Sequence, residues 1–171
     1  LKIIKSTIMF AESILTLIST EIGQLKIVIE EVEIEKIILS LLEILRGKIE
    51  EKKIKVNVEI EEKISKVPAD KQLLSLIFSA LIENAVLYNK QNGLINIKVQ
   101  KMPQRPYMEI IIEDTGIGMT KEDLANLFKR YYRGKKAKNL DVKGFGLGLS
   151  NTKKLINIYG GDIKVESVED K

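Results

Sequence analysis

The sequence predicts an α/β (α+β) fold: a two-layer sandwich of one mixed sheet with its helices on a single face, preceded by a helix of a bundle. Three observations lead there. Helical and strand periodicities alternate along the chain in the order helix, strand, helix, strand, helix, strand, strand, helix, lid, helix, strand. The apolar content is 44% while aromatics are only 5%, so the core must be aliphatic. Two glycine-rich turns, Asp114-Thr115-Gly116-Ile117-Gly118 and Gly144-Phe145-Gly146-Leu147-Gly148, flank a polar, basic segment and give the fold a place to hold a phosphate-bearing ligand.

The elements follow in order. Ile4, Ile8, Ala11, Leu15, Ile18, Ile22 and Leu25 make a heptad stripe, with Ile3, Phe10, Ile14 and Leu17 beside it. A face that wide suits a helix in a bundle better than a two-stranded seam, and Gly23 ends it. Residues 1–24 form this appendage and residues 25–171 the α/β domain. Lys26 to Glu33 alternates and reads as a short strand. Ile34, Ile37, Ile38, Leu41, Leu42 and Leu45 have helical spacing, to about Lys52. Ile54, Val56, Val58 and Ile60 alternate with polar residues, as in a half-buried strand. Pro68-Ala69-Asp70 opens the next helix, with Asp70 as its N-cap; Leu73, Leu74, Ile77, Phe78, Leu81 and Ile82 are its buried face. Asn92-Gly93 turns the chain into a strand over Leu94 to Gln100. Met102 to Tyr107 is a loop, and Met108 to Glu113 a strand. Thr120-Lys121-Glu122-Asp123 is a capping box with Asp in the usual Glu place, opening a short helix to about Arg130. Lys135 to Lys143 is polar, aperiodic and expected to move. Leu149 to Tyr159 is a helix, and Gly160-Gly161-Asp162 turns into a last strand, Ile163 to Val168.

Composition narrows the chemistry. With no cysteine, disulfides and thiolate metal sites are excluded; with no histidine, so is imidazole as base, ligand or phosphoacceptor within this chain. A net charge of +4 gives no ground for a nucleic-acid partner. The charge is local: seven basic residues between Lys129 and Lys143 oppose one acid, Asp141. Such a run is a solvated loop or, beside two glycine turns, a polyphosphate contact. No run reaches the roughly 18 apolar residues of a membrane span. The chain opens at Leu1 in mid-helix pattern, as a piece of a longer protein would.

Each motif has a bland reading and a sharp one. A carboxylate at a strand end, Asp114, can accept from an exocyclic amine, while the glycines let backbone approach a flat ligand; the same pattern is also an ordinary turn. The second glycine turn opens a helix, where backbone N–H groups favour anions, but no strand directly precedes it. Asn84 near a helix end can ligate Mg²⁺ or cap backbone, and Tyr88 can stack on a base or simply pack.

Taken in sequence, Glu83-Asn84-Ala85-Val86-Leu87-Tyr88, Asp114 to Gly118, Leu127-Phe128-Lys129-Arg130-Tyr131-Tyr132-Arg133, Lys143 to Leu149 and Tyr159-Gly160-Gly161 resemble the N, G1, F and G2 boxes of sensor histidine kinases. The resemblance covers about residues 25–168 as the catalytic, ATP-binding domain of the GHKL superfamily, with residues 1–24 similar to the end of the second dimerisation helix. It implies ATP and Mg²⁺ as cofactors. It places Asn84 on Mg²⁺, Tyr88 against adenine, Asp114 on the adenine amine, and Gly116 and Gly118 beneath the base. Phe128 would seat the lid, and Arg130, Arg133 and Lys143 would approach the phosphates, to which Gly144, Gly146, Leu147, Gly148 and Leu149 would offer the backbone of the second glycine box. Asn84, Lys143 and Arg133 would carry the catalytic contribution by positioning and neutralising charge.

The same resemblance implies a kinase that phosphorylates a histidine on its own dimerisation domain, absent here, and passes the phosphoryl group to a response regulator. A homodimeric parent, cytoplasmic in this part and membrane-bound elsewhere, goes with that reading. Two positions depart from the pattern: Ala80 stands where a second Asn is frequent, and Leu87 where Lys or Arg is usual. Ala80 also occupies the place of the general-base glutamate of GHKL chaperone and topoisomerase ATPases, against hydrolysis. The alternative function is a degenerate GHKL module that binds nucleotide or partners without kinase activity. Serine kinases of the anti-sigma type fit less well with the leading helix and the intact Phe128 to Arg133 box.

Overall fold

The computed structural model describes residues 25–64, 66–103, 107–139 and 145–169. The heptad stripe of residues 1–24, including Gly23, and residues 140–144, which include Lys143 and Gly144, lie outside the described residues.

The aliphatic spacing of Ile34 to Leu45 produces helix α1 (Ile34–Glu51), which buries Ile34, Ile37, Ile38, Leu41 and Leu45. It follows β1 (Glu30–Glu33), shorter than the expected strand from Lys26. The missing half, Ile27 to Ile29, is exposed and joins no ladder; its Val28 N–H donates to Asp70 Oδ2 at 2.8 Å instead. Strand β2 (Lys55–Ile60) comes next, then a 3₁₀ turn over Glu62–Ile64 and β3 (Lys66–Ala69). Helix α2 (Lys71–Leu87) has the expected cap: Asp70 accepts from Leu73 N–H at 3.0 Å. Strands β4 (Leu94–Lys101) and β5 (Met108–Asp114) follow, with Asn92 at φ +56° in the turn before β4.

Helix α3 (Lys121–Asn126) has both halves of the capping box between Thr120 and Asp123. It stops short of the expected Arg130, as residues 127–131 form turns and a bend. The lid begins not as irregular chain but as a short helix, α4 (Lys135–Asn139), a correction to the aperiodic reading. Lysine and alanine are good helix formers, and Arg133 Nη2 donates to Ala137 O at 2.9 Å across its start. Helix α5 (Gly148–Ile158) completes the described helices.

Two sheets stand where one was expected. β2, β4 and β5 form a mixed three-stranded sheet, β2 parallel and β5 antiparallel to β4, while β1 and β3 form a separate antiparallel pair. The expected last strand joins neither. Along residues 161–168 half-buried and exposed positions alternate, as in a strand, but the segment is tied to the Gly118 loop: Met119 N–H donates to Ser167 Oγ at 3.0 Å.

The helices do lie on one face. Ile95, Ile97 and Val99 of β4 point inward and are at most 1% exposed, packed with Phe78, Ile82 and the α1 stripe. The outer face carries Asn57 bonded to Asn96 at 2.9 Å and Gln100 bonded to Glu109 at 2.7 Å, groups that water can also satisfy. α2 is apolar on two sides because it is covered twice, by α1 and the sheet through Leu74 and Phe78, and by α5 through Leu73, Leu76, Ile77 and Leu155. Tyr159, after α5, ties that second contact down: its hydroxyl accepts from Asp70 N–H at 3.1 Å. No described helix is long and apolar enough to cross a membrane.

Candidate functional site

The cleft is assembled at the C-terminal end of α2, where the helix must hand its unpaired carbonyls to something. Asn84 and Tyr88 lie one turn apart, both half-buried, and Asn84 O accepts from Tyr88 N–H at 3.0 Å. Tyr88 O accepts in turn from Ile117 N–H at 3.1 Å, which fastens the first glycine turn to the helix end. That contact leaves no room for a side chain between them. A Cβ on Gly116 would lie 2.5 Å from Tyr88 O and 2.6 Å from Asp114 Oδ1. Gly118 adopts φ +63° with a Cβ position 2.2 Å from Val168 O, so both glycines of the turn are required by geometry.

Asp114 follows directly from the register of β4 and β5, as the last residue of β5 opposite Ile95. Its Oδ1 accepts from Gly116 N–H at 2.8 Å, which ties the carboxylate to the turn. The side chain is open to solvent through the mouth, yet burial by the surrounding protein raises its pKa, and the Gly116 hydrogen bond only partly opposes that. A carboxylate in such a place gains from a donor brought by a ligand. Thr115 supports the turn from behind: its hydroxyl oxygen accepts from Leu94 N–H at 2.8 Å.

The other end of the cleft is the start of α5. Tyr131 N–H donates to Gly146 O at 2.9 Å, joining the Phe128 to Arg133 stretch to the second glycine turn. Gly146 has φ +68°, and a Cβ there would meet Tyr131 C and Tyr132 O at 2.7 Å. Gly148 is different, with only Ala80 Cβ nearby at 3.9 Å. Asp123, buried, anchors this end. It accepts from Tyr132 Oη at 2.9 Å, Thr120 Oγ1 at 2.9 Å and Thr120 N–H at 3.2 Å. Burial alone would raise this carboxyl, but those hydrogen bonds, Tyr132 foremost, hold it below its ordinary value.

Of the residues singled out from sequence, Asn84, Tyr88, Asp114, Gly116, Gly118, Arg133, Gly146, Leu147, Gly148 and Leu149 all border one broad, open depression, which also takes in Lys101 and Glu109. Phe128 and Arg130 do not. Phe128 lies half-buried beneath Lys153, whose Nζ is 4.7 Å from the ring centroid, and Arg130 is exposed on the outside of the turn. Two further groups escaped the sequence reading. Lys52, expected only to end a helix, reaches the last carbonyls of α2. Asp123, expected only as a cap, also receives the Tyr132 hydroxyl. The first left no local signal, since its partners are 34 to 37 residues away.

Comparison with known proteins places the chain in a family. Residues 69–171 match the model of the "Histidine kinase-, DNA gyrase B-, and HSP90-like ATPase" family. The sensor histidine kinase WalK of Bacillus subtilis is 31% identical over 105 residues, 61% of this chain and 17% of that protein. The signal transduction histidine-protein kinase ArlS of Staphylococcus aureus is 37% identical over 115 residues, 67% of this chain and 24% of that protein. Among solved structures, the Acinetobacter baumannii histidine kinase AdeS superposes with a TM-score of 0.73 at 23% identity, covering 94% of this chain and 71% of that one.

The chain therefore belongs to the histidine kinase, gyrase B and HSP90-like ATPase family. Within it, the chain is similar to the catalytic part of sensor histidine kinases and spans about a fifth of the length of the curated relatives it matches.

Proposed function

We propose that this domain binds Mg²⁺-ATP and delivers its γ-phosphoryl group to a histidine on a dimerisation domain of the same parent protein, which then passes it to a response regulator. Support comes from the convergence of Asn84, Tyr88, Asp114, Gly116 and the start of α5 on one cleft. We assign adenine to the Asp114 end, where the carboxylate accepts from the exocyclic amine, Gly116 and Gly118 keep the floor flat, and Tyr88 lies alongside. The phosphates extend toward α5, whose N-terminal amides and helix dipole favour anions, with Arg133 beside them. Lys143 and Gly144 belong to the same proposal by sequence.

A divalent ion would neutralise charge on the phosphates as they transfer. Among the described residues no group of three or more carboxylate, His or Cys ligands gathers for a metal. An ion here would therefore lean on the nucleotide's own oxygens with the Asn84 amide oxygen, which fits the few protein ligands Mg²⁺ commonly takes. Residues 1–24 would be the end of the dimerisation helix and residues 25–171 the catalytic domain, with the parent a membrane-bound homodimer and this part cytoplasmic. No histidine is present, so this chain cannot form a phosphohistidine by itself.

Calorimetric titration with a non-hydrolysable ATP analogue tests the reading. Binding should require Mg²⁺ for full strength and be weaker than in relatives that keep a basic residue at the position of Leu87. No heat at millimolar nucleotide, with or without Mg²⁺, overturns it.

A further inference from the structure

The last turn of α2 contains no basic residue, yet its carbonyls end against a cation. Lys52, the C-cap of α1, sends its ammonium across to donate to Val86 O at 3.2 Å, Leu87 O at 2.6 Å and Asn89 O at 3.0 Å. An ammonium has three donors and no acceptor, so these three carbonyls saturate it. Together with Ile117 N–H on Tyr88 O, they give partners to the run of carbonyls that a helix end normally leaves to water. The negative end of the helix dipole receives a positive charge at the same point.

Lys52 is also held from behind. Its own N–H donates to Lys48 O at 3.1 Å, and its carbonyl accepts from Asn92 N–H at 2.8 Å. The side chain is half-buried, and burial lowers its pKa from the ordinary lysine value. A desolvated lysine placed this way is anchored at both ends, so it transmits the position of α1 to the end of α2. That end carries Asn84 and Tyr88 one turn apart.

We propose that Lys52 is a positioning residue for the nucleotide site: its ammonium closes the C-terminal turn of α2 and so fixes where Asn84 and Tyr88 stand relative to Asp114 and Gly116. The proposal rests on the nucleotide reading above.

The test compares Lys52→Met and Lys52→Arg in the full 171-residue chain. Three quantities are read: melting temperature, the dissociation constant for Mg²⁺-ATP well below melting, and the side-chain amide signals of Asn84 in a nitrogen–proton spectrum without nucleotide. Lys52→Met should weaken ATP about five- to thirty-fold, the equivalent of one or two kcal/mol, and shift or broaden the Asn84 signals. Lys52→Arg, which keeps charge and donors, should recover most of both. If Lys52→Met lowers only the melting temperature, Lys52 is a structural cap and the proposal is overturned. If the wild-type chain fails to bind ATP, the nucleotide reading falls, and unmoved Asn84 signals would still overturn the role given to Lys52. Should the methionine variant not fold, Lys52→Gln, which keeps donors without charge, takes its place with the same readouts.

Discussion

At the base end of the cleft, the α2 terminus and the Asp114 to Gly118 turn are locked to one another. Tyr88 O is bonded to Ile117 N–H, the Gly116 Cα sits against that same carbonyl, and Lys52 closes the carbonyls next to it. At the other end, Tyr131 N–H donates to Gly146 O, and both residues adopt positive φ, +63° and +68°. Side-chain support there comes from the Asp123 cluster on one side of the junction. One end is a socket whose shape is set by backbone packing, and the other is a junction of two residues in conformations that L-amino acids adopt at a cost. A flat, rigid base suits a socket. Under the proposed function the phosphates would lie at the junction.

The comparison breaks first at Gly116. Alanine there would press Cβ into a backbone carbonyl 2.5 Å away, which cannot rotate aside. Gly116→Ala should cost about 2–3 kcal/mol of stability by overpacking and abolish ATP binding, read by denaturant melts and calorimetry. A variant that folds and binds normally would mean the socket is soft. Asp114→Asn comes next, with the two effects running in opposite directions. ATP should weaken by about 1–3 kcal/mol, as the adenine amine loses a charged acceptor.

Stability should not fall with it. Burial raises the folded-state pKa of Asp114, so its ionised form disfavours the fold above that pKa, and the penalty fades as pH drops toward the ordinary carboxylate range. Asparagine removes the penalty and keeps an oxygen for Gly116 N–H. Asp123 has the reverse sign: burial would raise it, but its hydrogen bonds hold it low, so it contributes stability that persists until pH falls through its lowered pKa. Carboxyl-carbon NMR should therefore find Asp114 titrating before Asp123 as acid is added. ATP affinity should fall along the Asp114 titration and lose that pH dependence in Asp114→Asn.

At the other end, Gly146→Ala should cost about 1–2 kcal/mol, the penalty of a left-handed L-residue, with the contacts at 2.7 Å adding to it. Its urea midpoint should lie below that of wild type. A loss as large as that of Gly116→Ala would erase the contrast between the ends.

The socket was more legible in the sequence than its supports. α1, α2, β2, β4 and β5 announce themselves by spacing, and Asp70 and Thr120 by local capping chemistry, because the physics of each lies within a few residues. β3 was missed since four residues containing Pro68 show no usable alternation, and its partner β1 is more than 30 residues earlier. The run 163–168 alternates correctly but found its hydrogen bond on Met119 rather than on a strand edge, a choice made by tertiary placement. The glycine boxes border the cleft, and Phe128 and Arg130 do not border it. Lys52 marks the limit of local reading: a lysine at a helix end is unremarkable until the fold brings three carbonyls to it.

The smallest effect is expected at Tyr131, the other half of the junction. Its side chain is 72% exposed while its backbone sits at φ +63°, so the residue bears conformational cost without much burial to offset it. Glycine would relieve roughly 1–2 kcal/mol of left-handed strain and lose roughly 0.5–1 kcal/mol to the greater freedom of the unfolded chain. The bond from residue 131 N–H to Gly146 O needs no side chain and should survive. Tyr131→Gly should therefore leave stability unchanged or raise it by up to about 1.5 kcal/mol, seen as an equal or higher urea midpoint. Hydrogen exchange at the residue 131 amide should speed up if the junction opens more often. A loss above about 1 kcal/mol would show that the exposed ring braces the fold, and this end would then be a second socket rather than a junction.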